Sequence, residues 1–456
     1  MKLPVLLLVV LVFSGCQERR FNIRRMPILG STPKIPIEDL FRDGFIIDGL
    51  LNYTVKKDPT CRRDCESKLV PLGEMITLTG AHIGTITVSR EVDRCRRVAA
   101  YMDRDAGGRV IRTFNDMWAA RRENQYGSLL YTQQVPMIRG NPMAVHDWYA
   151  AGMRVVQLAY SSRIPLAPMR KKNKLAGGSD EPRQGLTALG RDVVKELVKL
   201  NMIIDVSHCS EKTTTEILAM TDVPILANHA NAKALTLTVR GPMLLGRNKS
   251  DDELIAIAQT GGVIGVTTVA WMLDRDGDTK ADISDFLAHV DYIVKLVGID
   301  HVGISSDSRV DGWAVDDIHY ADATLADPKR WFIVAQRLRR DFGYSDEMLH
   351  KIFGLNFKRV YEQVLPGVHP PELAEGSVDE LVFKPAVYRG VPLPTHDVEL
   401  QVEKSGSFQR SRTWKRPGDT RVDISDLPAA TYRWRVVAVS GDIRAASDWR
   451  GFKVAR

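Results

Sequence analysis

Apolar residues in this chain fall in short runs separated by amphipathic stretches, and the pattern is clearest over Gly185–His229. Helical spacing over Ala188–Leu200 leads into the apolar run Met202–Val206, which stops at Ser207-His208. A second helical pattern, Glu211–Met220, leads into the run Val223–Ala227, which stops at Asn228-His229. Two consecutive strand–helix units therefore each deliver a histidine just past the end of a strand.

The same alternation predicts strands at Phe45–Gly49, Ile76–Thr79, Leu129–Thr132, Val155–Ala159, Met202–Val206, Ile225–Ala227, Val263–Thr267 and His301–Ser305. Helical patterns cover Ser89–Arg104, Val110–Arg122, Met143–Ala151, Asp251–Gln259 and Ile283–Val297. Strands rich in Val and Ile, alternating with helices, predict an α/β fold, a closed parallel (β/α)8 TIM barrel over residues 37–365. Helices over Trp331–Phe342 and Ser345–Leu365 are expected to pack on its outside. A Pro-rich hinge (366–374) then changes the pattern to period two, at Val398–Glu403, Thr420–Ile424, Tyr432–Val439 and Phe452–Val454. This predicts a small all-β sandwich over 375–456. Its run LPAATYRWRVVAVSGDIRAASDWRGFKV resembles the last strands of a fibronectin type III domain, with Tyr432 placed to make a corner hydrogen bond.

The N-terminus carries a different signal. Lys2, the apolar run Leu3–Phe13 and then Ser14-Gly15-Cys16 are too short to span a bilayer. They resemble a bacterial lipoprotein signal (1–16), with Cys16 as the lipidated first residue of the mature chain. Gln17, rather than Asp, points to the outer membrane, facing the periplasm. Residues 17–36 are polar and rich in Arg, and read as a tether.

Composition adds less. With 44% apolar and 26% charged residues among 456, and a net charge of +7, the chain is an ordinary globular protein. It has no basic stripe interleaved with aromatics, which argues against nucleic acid as a partner. An exported chain can form disulfides. Cys61 and Cys65 can pair with each other or with Cys95, and a zinc half-site is the rival for the Cys61–Cys65 spacing. Cys209 is expected to pack rather than react.

The chemistry of such a barrel lies at the carboxyl ends of its strands. Read in order, those ends offer Asn52, Gln133, Tyr160, His208, His229 and Asp307. Neutral imidazoles suit zinc-like ions, and the aspartate suits a ligand or a general base. The other histidines show no ligand-like spacing and read as surface or packing residues.

The stretch IIDVSHCS…PILANHANA…RNKSDDELIAIAQTGGVIGVT…DHVGISSD…IFGLNFKRVYEQV resembles the renal, or membrane, dipeptidase family of zinc hydrolases. The resemblance runs from about Phe45 to Leu365. It implies that His208 and His229 bind one zinc, that Arg247 binds the substrate carboxylate, with Arg240 as a substitute, and that Asp307 is the acid/base. It also implies departures. Leu50 stands where the family has a ligand histidine, Asn52 where it has a ligand aspartate, and Gln133 where it has the bridging glutamate. Tyr160 replaces a substrate-contacting histidine. A neutral amide cannot compensate two dications as a carboxylate does, so one zinc is expected, with Gln133 as a weak oxygen donor.

The sequence therefore reads as an exported metallodipeptidase-like hydrolase of dipeptides or similar small amides, anchored to the membrane by lipid. The family resemblance also implies a homodimer. The alternative is a catalytically inactive homologue acting as a binding or scaffold protein. A third reading keeps the metal and changes the bond cleaved, to a lactam or ester.

Overall fold

The computed structural model describes residues 36–454 apart from internal stretches, the longest being 57–66, 161–174, 237–246, 311–322 and 368–379. Cys16, the tether up to residue 35, Cys61, Cys65, Arg240 and most of the hinge lie outside the described residues.

Eight parallel strands close into a ring. They are β1 (Ile47–Asp48), β2 (Ile83–Thr87), β3 (Tyr126–Thr132), β4 (Met153–Gln157), β5 (Ile203–Asp205), β6 (Leu226–Ala227), β7 (Val263–Thr267) and β8 (Val302–Ser305). Each pairs with the next, and Asp48 pairs with Ile304 to join the first strand to the last. The short strand Gly108–Val110 lies against the first half of β3. Between most strands run helices with clear sequence stops. Ser250 and Asp282 each make a capping box, with Glu253 and Asp285, which fixes the starts of the helices Asp251–Gln259 and Ile283–Val297.

Side-chain parity explains the closure. Ile47, Leu129, Val155, Ile203, Leu226 and Val263 belong to one apolar cluster, inside the barrel. Their neighbours Ile46, Leu130, Val156, Ile204, Ala227 and Ile264 belong to another, between barrel and helices. Successive strand residues face opposite ways, so each strand feeds both clusters.

Two expectations are corrected, and one of the open cysteine pairings is ruled out. The run Ile76–Thr79 is not a strand: it ends the helix Leu72–Thr79. Leu72, Met75 and Thr79 are its buried positions, a helical spacing, and Gly80 closes it at φ +73°. The second strand is Ile83–Thr87 instead. Next, the helix Asn356–Val364 does not lie wholly outside. Its Phe357, Val360, Tyr361 and Val364 join the barrel-interior cluster. Glycine at 303 makes room, since a Cβ there would stand 2.4 Å from the Phe357 ring. Finally, Cys95 is a free, buried thiol that donates to the Ala151 carbonyl at 3.6 Å and forms no disulfide. Burial pushes its pKa up to about 11. Cys209 is likewise free and buried, as expected of a packing residue.

Beyond the barrel, Ser407–Arg416, Thr395–Lys404 and Ala430–Ser440 form an antiparallel sheet, completed by Ile443–Ala446 and Arg450–Val454 on Ala430–Ser440. Glu380–Val382 pairs with Arg421–Asp423 in a second small sheet. Leu400, Trp434 and Val436 from the first sheet share a core with Val422 from the second. The Tyr432 hydroxyl donates to the Pro428 carbonyl at 2.9 Å, the corner contact expected at this position.

Candidate active site

Inward parity carries past the apolar interior into a polar layer. Two residues beyond Leu129, Val155, Ile203 and Leu226 come Tyr131, Gln157, Asp205 and Asn228, all buried. The Tyr131 hydroxyl lies 2.6 Å from Gln157 Oε1 and donates to Asp205 Oδ2 at 2.5 Å. Asp205 Oδ1 also accepts from the Ser207 and Asn228 N–H groups and from the Ser207 hydroxyl. Burial raises the pKa of Asp205, and these hydrogen bonds oppose the rise. The layer is a hydrogen-bonded floor beneath the strand ends.

On that floor stand the two histidines. His208 follows β5 and His229 follows β6, with ring centroids 5.1 Å apart at 59°. Both are buried, and burial holds their pKa values well below the usual histidine range, with the Arg247 charge adding to the effect. Both imidazoles are therefore neutral at pH 7. His208 Nδ1 and His229 Nε2 are buried and have no hydrogen-bond partner among the described residues. Neutral imidazoles with unpaired, buried ring nitrogens fit a metal ion, because each can offer a lone pair where buried polar atoms usually have a partner. Tyr160, after β4, stacks on His208 with centroids 4.0 Å apart.

Arg247 is buried between the two histidine-bearing ends. Its Nη1 donates to the Ser207 carbonyl at 2.7 Å, and its Nη2 to the His229 carbonyl at 3.0 Å. The guanidinium thus brackets both ends, whatever else it binds. Lys249, two residues on and fully buried, donates to the Cys209 carbonyl at 2.9 Å and pairs with Glu253 at 2.8 Å. It holds the loop that follows His208.

Asp307 lies past β8 at φ +49°, a left-handed backbone that Asp tolerates better than most residues. Its carboxylate favours the charged form of the buried Arg247 and, after burial and Asp205, adds to holding the Tyr131 hydroxyl protonated. Gln133 follows β3, and its carbonyl accepts from Gln157 Nε2 at 3.0 Å. Leu50 is buried in the barrel-interior cluster. Asn52 forms a short strand with Leu51 that pairs with Ser308–Arg309. Among the described residues no three His, Cys, Asp or Glu side chains converge as a metal cage. The two histidines come together, then, and a third protein ligand of those types does not join them.

Sequence reading missed the floor of Tyr131, Gln157 and Asp205, the bracket by Arg247 and the buried Lys249. The two-residue step from Leu129 through Tyr131 to Gln133 is the signal that points to the floor.

Solved structures show the class of fold. An amidohydrolase from Pseudomonas aeruginosa superposes with a TM-score of 0.59 at 23% identity, covering 73% of this chain and 99% of that one. A metallopeptidase from Rhodobacter sphaeroides, liganded with a phosphinate mimic of L-Ala-D-Ala, gives 0.54 at 20%, covering 70% and 99%. At these identities the likeness is one of fold. The family follows from sequence: the profile of the membrane dipeptidases (peptidase family M19) matches residues 87–367. This chain belongs to that family. The dipeptidase verJ of Clonostachys rogersoniana is 27% identical over 256 residues, 56% of this chain and 60% of that protein. The dipeptidase tcpJ of Claviceps purpurea is 29% identical over 259 residues, 55% of this chain and 54% of that protein. The match therefore spans less than two thirds of either relative.

Proposed function

We propose that this chain is an exported, lipid-anchored metallohydrolase that cleaves the amide bond of dipeptides or similar small amides. It holds one zinc ion through His208 and His229, with Gln133 as a weaker oxygen donor. The observation that carries the reading is the pair of buried ring nitrogens without partners among the described residues, on neutral imidazoles at the ends of adjacent strands. Zinc bound there supplies Lewis acidity, polarising a carbonyl and making water more acidic.

The chain's own residues do the rest. Asp307 takes the proton from the attacking water and delivers it to the leaving amine. Tyr160, held against His208, donates a hydrogen bond to the oxyanion as it develops. Arg247 attracts the substrate carboxylate while bracing the histidines. The dipeptide mimic held by the Rhodobacter metallopeptidase supports dipeptides with a C-terminal D-residue as the first class to try. The lipoprotein-like N-terminal sequence ending at Cys16 supports attachment at the outer membrane, facing the periplasm, with the C-terminal sheets as a fibronectin type III-like accessory domain.

Purified chain supplied with zinc and a panel of L,L- and L,D-dipeptides tests this by release of free amino acid. Hydrolysis that a chelator abolishes supports it. Zinc binding without hydrolysis of any member contradicts it. The apolar, buried Leu50 at the family's histidine position favours the second reading, a binding protein, which predicts neither bound zinc nor hydrolysis.

A further inference from the structure

The side-chain amide of Asn228 has one orientation that suits its neighbours. Its Nδ2 donates to the Gly49 carbonyl at 3.0 Å, at the end of β1. Oδ1 therefore faces the other way, toward His229 Nδ1, with which it is hydrogen-bonded. It also lies 3.4 Å from the Ser207 hydroxyl. An amide oxygen only accepts, so the proton of the neutral ring sits on Nδ1. The Asp205 carboxylate, 3.9 Å from Nδ1, favours a proton there as well. The backbone offers no slack: the Asn228 N–H is held by Asp205 Oδ1 at 2.9 Å. The lone pair is thereby left on Nε2, a buried atom without a partner among the described residues.

We propose that Asn228 is a positioning residue that selects the Nδ1–H tautomer of His229 and so presents Nε2 as its ligand atom. The ligand half of this assignment rests on the metal reading above. The tautomer half does not. A free neutral histidine favours the Nε2–H form, so the site has to impose the other one. Hydrogen bonding at the remote nitrogen fixes the tautomer and ring orientation of a ligand histidine, and losing it costs about 10–100-fold in metal affinity.

The test is long-range proton–nitrogen correlation NMR on metal-free protein with 15N-labelled histidine, at pH 7.5. Wild-type His229 should show a protonated Nδ1 and a bare Nε2. Asn228→Leu should shift the ring toward Nε2–H and weaken zinc binding by about 10–100-fold. Asn228→Asp keeps an acceptor oxygen and should retain Nδ1–H. An Nε2–H ring in the wild type overturns the proposal, and this spectrum decides even where the Leu variant does not fold. So does an unchanged tautomer in a folded Leu variant. A wild-type Nδ1–H ring in a protein that binds no zinc removes the metal reading and leaves the tautomer assignment standing.

Discussion

The Asp307 backbone N–H donates to the Leu50 carbonyl at 2.8 Å, so the turn that carries the candidate acid/base hangs from the end of β1. The Ser306 hydroxyl donates to the same carbonyl at 2.9 Å, and the Ser306 N–H to Asp48 Oδ1 at 2.8 Å. Trp331 Nε1 holds the other carboxylate oxygen of Asp48 at 3.0 Å. The segment where the family resemblance expects metal ligands here clamps the turn of β8. Asparagine accepts a left-handed backbone as readily as aspartate does. Asp307→Asn should therefore keep the fold and zinc content while lowering kcat by at least about 100-fold, the scale of general acid–base catalysis. Retained turnover would remove Asp307 from the mechanism.

Arg247 is expected to matter for stability as well as for substrate. Arg247→Leu leaves the Ser207 and His229 carbonyls buried without their donors, at a cost of about 2–4 kcal/mol. Arg247→Lys offers a point charge in place of a planar fork and should recover only part of this. Chemical denaturation gives the stability and dipeptide kinetics give KM. A variant with wild-type stability and a raised KM alone would show that the bracket is not structural.

Acid should unfold the protein through buried neutral histidines. His82 Nδ1 accepts the Ile46 N–H at 3.0 Å, and His289 Nδ1 accepts the Ala232 N–H at 3.2 Å. Burial lowers both pKa values from 6.5 to about 4. Their stabilisation is present above pH 6.5 and is lost as pH falls through 4, on the order of 3 kcal/mol each. Asp48 runs the other way: burial raises its pKa to about 6, so its contribution is greatest below 3.8 and is lost as pH rises through 6. Two histidines outweigh one aspartate, so urea midpoints should fall between pH 7 and pH 4.5. Equal midpoints would contradict the neutral, buried state of these rings.

Gly303 and Phe357 should be coupled. Gly303→Ala forces its Cβ against the ring and should destabilise by about 1–3 kcal/mol. Phe357→Leu should be costly alone, yet the double variant should lose less than the sum. Additive losses, measured by denaturation, would mean that the ring does not fill the space left by the glycine.

How much of this was legible depended on how local the signal is. The helices Asp251–Gln259 and Ile283–Val297 could be read to the residue because capping boxes mark their starts. The strand-end histidines could be read because each follows an apolar run directly. Ile76–Thr79 misled because a short apolar run does not separate strand from helix, and the deciding positions, Leu72 and Gly80, lie outside it. The interior placement of Phe357 depends on glycine in a strand remote in sequence. The Arg247 bracket and the Asn228 amide depend on backbone carbonyls, which leave no trace in residue identity.

The central claim is that His208 and His229 hold a metal. Elemental mass spectrometry on purified protein, dialysed with and without zinc, tests it most directly. The account predicts about one ion per chain, lost in both His208→Ala and His229→Ala. No ion in the zinc-supplied wild type would contradict it and leave a barrel that binds rather than cleaves.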